Sequence, residues 1–128
     1  MEGNESAPFS EAFPLNDELL QRIAFLAKCL SDGNRLKILL LVSRGRKSVS
    51  AIVEALDLSQ PLVSPHLKEL KRSLLVEVER EGPFVFYHLA DDRILDVLKI
   101  LGDVSTDCLE NRKGFYPREG KPSLWMSC

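Results

Sequence analysis

From Asn16 onward the apolar residues recur at helical spacing. Leu19, Ile23, Leu26 and Leu30 share one face of a helix that Asn16 is suited to cap, with Asp17 and Glu18 in its first turn, where the helix dipole favours acid. Ser31-Asp32-Gly33 ends that helix. A second, from about Asn34 to Val42, is apolar around most of its circumference (Leu36, Ile38, Leu39, Leu40, Leu41), a pattern that belongs at the centre of a small domain. Ser43 to Lys47 reads as a connecting loop. Ser48 then caps a short helix, about Val49 to Leu56, whose apolar positions are Val49, Ile52, Val53 and Leu56. Asp57-Leu58-Ser59 is a short turn, with Leu58 plugging it. Ser59 stands where a cap for the next helix is needed, and Pro61 is tolerated in its first turn. At 100° per residue, Val63, Leu67, Leu70 and Leu74 fall within about 60° of one another, so this helix is expected to run to about Leu74 with that stripe inward.

Next the period shortens to two. Val76 and Val78 alternate with Glu77 and Glu79, Gly82-Pro83 supplies a turn, and Phe84 to Leu89 is rich in aromatic and β-branched residues, which predicts a two-stranded hairpin. A last helix opens near Asp91-Asp92 and carries Ile94, Val97, Leu98, Leu101 and Cys108 on one face. Helix, helix, short helix, turn, helix, hairpin, helix is the order of a winged helix-turn-helix. The predicted fold is therefore mainly helical α+β, with about five helices and a two-stranded β-hairpin wing. Its domain spans 16–109, between an irregular arm at 1–15 and a tail at 110–128 rich in Gly, Pro and charge.

Charge changes the picture once it is divided along the chain. The 128 residues carry net charge −2, yet residues 33–72 hold eight basic groups against three acidic ones, net +5, leaving −7 for the rest. A basic centre in an acidic frame points to a polyanion met at one place. No apolar run is long enough to span a bilayer, and the acidic start does not read as a secretory signal. Three cysteines, Cys29, Cys108 and Cys128, with no CxxC pair, fit neither a disulfide framework nor a four-cysteine zinc site, and the expected compartment is the cytoplasm with its reducing cytosol. No nucleophile–base pair, paired carboxylates, metal-ligand cluster or phosphate-cradling glycine loop is present, so no enzyme and no cofactor is expected.

The helix from Gln60 is the element to examine for binding. Opposite its apolar stripe lie Pro61, Pro65, Lys68 and Arg72, flanked by Gln60, Ser64 and Lys71. In a helix laid in the major groove, N-terminal side chains reach base edges while basic groups meet phosphates. Gln60 and Ser64, with His66 beside the stripe, are the expected base readers. Ser59 at the helix start, Lys68, Lys71 and Arg72, with Arg44, Arg46 and Lys47 from the loop, are the expected phosphate contacts. Arg80 and Gly82 belong to the wing, where Glu77, Glu79 and Glu81 surround the lone arginine. Pro65 removes one backbone donor and crowds the carbonyl of Pro61, on the outward face where water can satisfy it.

These residues resemble the ArsR/SmtB family of winged-helix repressors. The resemblance runs from Leu26 to Leu89, about half the chain, through LSDGNRLKILLLV, SVSAIVEALDLSQPLVSPHLKELKRSLLVEVEREG and VFYHLADDR. It implies a sequence-specific DNA-binding transcriptional regulator, a repressor released from its operator by a chemical signal. It also implies a homodimer joined through the first and last helices on a two-fold-symmetric site. Where the family's metal sensors carry a cysteine pair, this chain has Ser48 and Ser50, poor ligands for soft metals, and of the carboxylate and histidine site on the last helix only Asp91 matches. No metal site is expected; the effector is a small molecule or a redox signal. In such a dimer Cys29 and Cys108 are a candidate thiol sensor, although both read more readily as small buried hydrophobes. The acidic wing and Pro65 leave a second function open, a winged-helix protein–protein interaction module without DNA binding.

Overall fold

A computed structural model describes residues 16–111. The expected arm at 1–15, and the tail from 112 onward, lie outside the described residues. Five helices and three strands follow in the order α1 (Asp17–Cys29), α2 (Gly33–Val42), β1 (Lys47–Ser48), α3 (Val49–Leu56), α4 (Gln60–Arg72), β2 (Val76–Glu81), β3 (Phe84–Leu89) and α5 (Arg93–Asn111).

Each early helix starts where a side-chain oxygen meets its first free amides. Asn16 Oδ1 accepts from the Leu19 amide at 2.7 Å, and Asp32 Oδ1 accepts from Asn34 and Arg35 at 2.9 and 3.1 Å. Ser48 Oγ accepts from Ala51 at 3.1 Å. Asp32, which the residue pattern alone places in the stop of the first helix, also starts the second. The turn between α3 and α4 places Asp57 in the left-handed region (φ 55°), tolerable for an aspartate, and Leu58 packs against the core.

Ile38, Leu39 and Val42 of α2, Ile52 of α3 and Val63, Leu67 and Leu70 of α4 are fully buried together, with Leu75 and Val76 closing the layer from the strand side. This one cluster locks the two-helix unit, so the outward face of α4 is fixed by what its inward face buries.

One expectation is extended and one corrected. The two-stranded hairpin forms as β2 and β3, and a third strand joins it: Lys47 and Ser48 pair antiparallel with Tyr87 and Phe86, giving the order β1-β3-β2. The third strand anchors the wing to the start of α3. And α4 ends at Arg72, not Leu74. Ser73 is its C-cap, Leu74 follows in the left-handed region at φ 64°, and the amides of Leu75 and Leu74 bond back to the carbonyls of Leu70 and Lys71. This is a Schellman closure with leucine where glycine is usual. It turns Leu74 out of the stripe to 77% exposure.

Candidate nucleic-acid interface

On α4 the burial pattern separates two faces. Val63, Leu67 and Leu70 are buried, whereas Gln60, Pro61, Ser64, Pro65, Lys68, Lys71 and Arg72 are exposed. Pro65 sits inside an uninterrupted helix on the outward side, where the carbonyl it displaces meets solvent. Ser59 is the N-cap by backbone, its carbonyl accepting from Leu62 and Val63, but its hydroxyl makes no capping bond. Pro61 has no amide proton and the Leu62 and Val63 amides are taken by Ser59, so in the first turn of α4 the Gln60 amide is the donor left toward solvent, at the positive end of the helix dipole.

The cations of the basic segment do not behave alike. Lys68 and Lys71 have no ion-pair partner among the described residues, and neither do Arg44, Lys47 and Arg80. Arg72 is gripped by Glu69, Nη2 to Oε2 at 2.6 Å and Nε to Oε1 at 3.3 Å, and its guanidinium lies 5.8 Å from the Phe25 ring centroid. The hydrogen bond with Arg72 holds the Glu69 carboxyl below its ordinary range. Arg46 is bound more completely. It reaches Glu79 at 3.1 Å and Glu81 at 2.7 Å and stacks over Phe86 at 4.1 Å.

Arg46 therefore braces the wing. The partners that hold it come from β2 and β3, and nothing in the local sequence around residue 46 signals them.

The hairpin register explains where the acid goes. β2 and β3 pair from Val76↔Leu89 to Glu81↔Phe84, so Glu77, Glu79 and Glu81 share one face with Phe84, Phe86 and His88. Val76, Val78 and Arg80 point to the other, toward α4. There Arg80 and Lys71 line one concavity with Leu74, Val76 and Val78, and Glu77 stands at its edge. The two-residue loop puts Gly82 at φ 62° ahead of Pro83, as tight hairpin turns require. The wing is acidic on its outer side and cationic on the side shared with α4.

His66 is not presented outward with Ser64 and Lys68. Its ring faces α2: Nδ1 accepts from Arg35 Nε at 3.4 Å, and Nε2 lies 3.8 Å from Asp32 Oδ1. Nδ1 is hydrogen-bonded within the protein and Nε2 faces Asp32 beyond hydrogen-bond distance, so the ring is turned toward α2. Sequence spacing gave no sign of this, because Asp32 and Arg35 lie about 30 residues away.

The positions examined for sensing have structural occupations. Ser48 caps α3, and Asp91 is bound by Arg93, whose backbone amide and guanidinium donate to it at 2.8 and 2.7 Å. The hydrogen bonds from Arg93 lower the Asp91 carboxyl to about 2. Cys29 is buried in the core, whereas Cys108 is exposed on α5, and the two are not bonded. No described helix is long and apolar enough to cross a membrane.

Comparisons with known proteins give this geometry its family. Residues 32–78, from the cap of α2 through α4 into β2, match the family described as bacterial regulatory protein, arsR family. An uncharacterized HTH-type transcriptional regulator of Methanocaldococcus jannaschii is 34% identical over 88 residues, 68% of this chain and 99% of that protein. The HTH-type transcriptional repressor SmtB of Mycobacterium tuberculosis is 37% identical over 81 residues, 63% of this chain and 60% of the relative, so the chain spans only part of that protein's length. Among solved structures, the homodimeric winged helix-turn-helix DNA-binding domain of a Mycobacterium bovis protein is 30% identical with a TM-score of 0.67, covering 82% of this chain and 97% of that one. These likenesses favour DNA binding over the interaction-module alternative. The chain belongs to the arsR family, and it is a DNA-binding winged helix-turn-helix transcriptional regulator, not an enzyme.

Proposed function

We propose that two copies of this chain bind a two-fold-symmetric operator, each laying α4 in a major groove, and act as a repressor in the cytoplasm. The observation that carries the reading is the division of α4. Val63, Leu67 and Leu70 are buried while Gln60, Ser64, Lys68 and Lys71 stand free on the far side. Gln60 and Ser64, at the end of the helix that enters a groove first, read base edges; glutamine suits adenine, and serine serves either pair. Lys68, Lys71 and Arg80 neutralise phosphates, with the Ser59 hydroxyl and the Gln60 amide at the start of α4 taking another. Arg44 and Lys47 contribute from the loop that leads to β1, and Arg72 less, since Glu69 already holds it.

The second copy is argued from α1 and α5. Leu20, Ile23, Leu26, Val97, Ile100, Leu101 and Val104 are between 40% and 61% exposed, large apolar side chains on the first and last helices without enough protein to cover them. A homodimer through these helices buries them, and one structural relative is homodimeric. Release from the operator by a small molecule or redox change is the part of the reading supported by the resemblance to the ArsR/SmtB repressors. The buried Cys29 thiol favours a packing role for that residue, and no metal is assigned.

The test is selection of duplexes from a random pool with the purified protein at low salt. The expected result is an inverted repeat whose half-sites lie one helical turn apart, about 34–36 Å. Retention of no duplex at all, by protein shown to be dimeric, overturns the reading.

A further inference from the structure

One cluster of polar side chains takes no part in the phosphate-facing surface. Arg35 on α2 donates from Nε to His66 Nδ1 at 3.4 Å and from Nη1 to the carbonyl of Cys29 at 3.1 Å. Cys29 is the last residue of α1, and a helix C-terminus favours a cation on its carbonyls. Asp32 stands 3.8 Å from His66 Nε2, and its Oδ1 is itself fixed by the amides of Asn34 and Arg35. His66 is only 17% exposed. One guanidinium therefore spans the end of α1 and the middle of α4, and both groups that hold His66 are rooted in the start of α2.

We propose that Asp32, Arg35 and His66 form a clasp that sets the rotation of α4 about its own axis and couples the position of α1 to it. The apolar stripe of α4 fixes how deeply the helix sits, but burial is non-directional and tolerates small rolls. A hydrogen bond with a required geometry does not. Because Nδ1 accepts, the ring proton belongs on Nε2, which faces Asp32 at 3.8 Å, a polar contact longer than a hydrogen bond, and the Arg35 bond is what orients the ring. Ser64 and Lys68 lie two residues to either side of His66, and a roll released at that point moves a base reader and a phosphate contact together. His66 is thus a positioning residue. The inference rests on the proposed function, in which α1 joins the subunits and α4 enters the groove.

The experiment is a double-mutant cycle on the wild-type-selected duplex, with subunit association followed in parallel. His66→Ala and Arg35→Ala are each expected to weaken operator binding about tenfold, the scale of one charge-assisted hydrogen bond. The double variant is expected to be no weaker than either single one, because both remove the same link. His66→Gln, whose amide carries both a donor and an acceptor, restores most of the affinity. Base preferences reselected with His66→Ala are expected to weaken across the half-site rather than at a single base pair, and the dimer persists. Should Arg35→Ala fail to fold, Arg35→Met, which keeps the aliphatic stem and removes the donors, replaces it in the cycle. Unchanged affinity in the single variants, losses that multiply in the double one, or relaxed preference at one base pair in His66→Ala overturns the clasp while leaving the proposed function intact. A wild-type protein that retains no duplex overturns both.

Discussion

Salt dependence separates the cations of this surface in a way that affinity alone does not. Of the cations without an ion-pair partner among the described residues, Lys68, Lys71 and Arg80 sit on α4 and the inner wing, so a dimer brings six charges to the operator from that surface alone, before the loop residues Arg44 and Lys47 are counted. At about 0.9 per phosphate neutralised, those six give a slope of log K against log salt near −5, or roughly a thousandfold loss of affinity between 50 and 200 mM. Lys68→Ala removes one contact from each subunit and should flatten the slope by about 2. Arg46→Ala deletes the same formal charge, but Glu79 and Glu81 already occupy that guanidinium. Its slope should stay within about half a unit of wild type. The assay is fluorescence anisotropy of a labelled operator, titrated at five or more salt concentrations for each variant. Equal slopes for Lys68→Ala and wild type refute the assignment of Lys68 to phosphate. A flattening by Arg46→Ala as large as that by Lys68→Ala refutes the argument that internal pairing withdraws a cation from the duplex.

Two further outcomes test the fold itself. Leu74→Gly relieves a left-handed leucine, about 1–2 kcal/mol, but loses the quarter of its side chain that is buried and adds freedom to the unfolded chain, so urea unfolding should place it within about 1 kcal/mol of wild type. Leu70→Ala, one turn earlier and fully buried, should lose about 2–5 kcal/mol; similar losses at both positions would return Leu74 to the core. Asp91 is a depressed carboxyl, ordinarily 3.8 and here about 2, so its bond to Arg93 stabilises the folded chain above about pH 4 and fades as pH falls through 2. Urea midpoints of wild type and Asp91→Asn should differ at pH 6 and converge near pH 2; a gap that persists at pH 2 contradicts the assignment.

Most of the helices were legible in the sequence because their signals are local. Asn16 and Ser48 mark helix starts, and the stripe of α4 announces which side is buried. What was missed is non-local or lacks a marker. β1 is two residues long, too short to show a period, and exists only through its pairing with Tyr87 and Phe86. The end of α4 was misplaced because a stripe says which face is inward but not where the helix stops. The glycine that usually signals a left-handed C-terminus is a leucine here. The outward face of α4 was read correctly as a set of exposed residues, but His66 and Arg46 were assigned by helix geometry and charge alone. Their partners, Arg35 with Asp32 and Glu79 with Glu81, are supplied by the tertiary fold.

The same distinction bears on what a net charge of −2 means for a DNA-binding protein. The +5 counted over residues 33–72 is not the charge a duplex meets. Arg35 is turned inward, Arg46 is bound to the wing and Arg72 is held by Glu69. Lys68 and Lys71 remain on α4, joined by Arg80 from outside the segment, and the carboxylates of Glu77, Glu79 and Glu81 lie across the sheet from that arginine. Charge of one sign is thereby confined to the side that α4 and the inner wing share, and the opposite sign to the wing's outer face. A phosphate backbone approaching the outer face meets repulsion, and one approaching α4 does not. The acidic remainder thus favours one orientation on the duplex and suppresses adhesion in others. Sequence preference then depends on Gln60 and Ser64 rather than on the total number of cations.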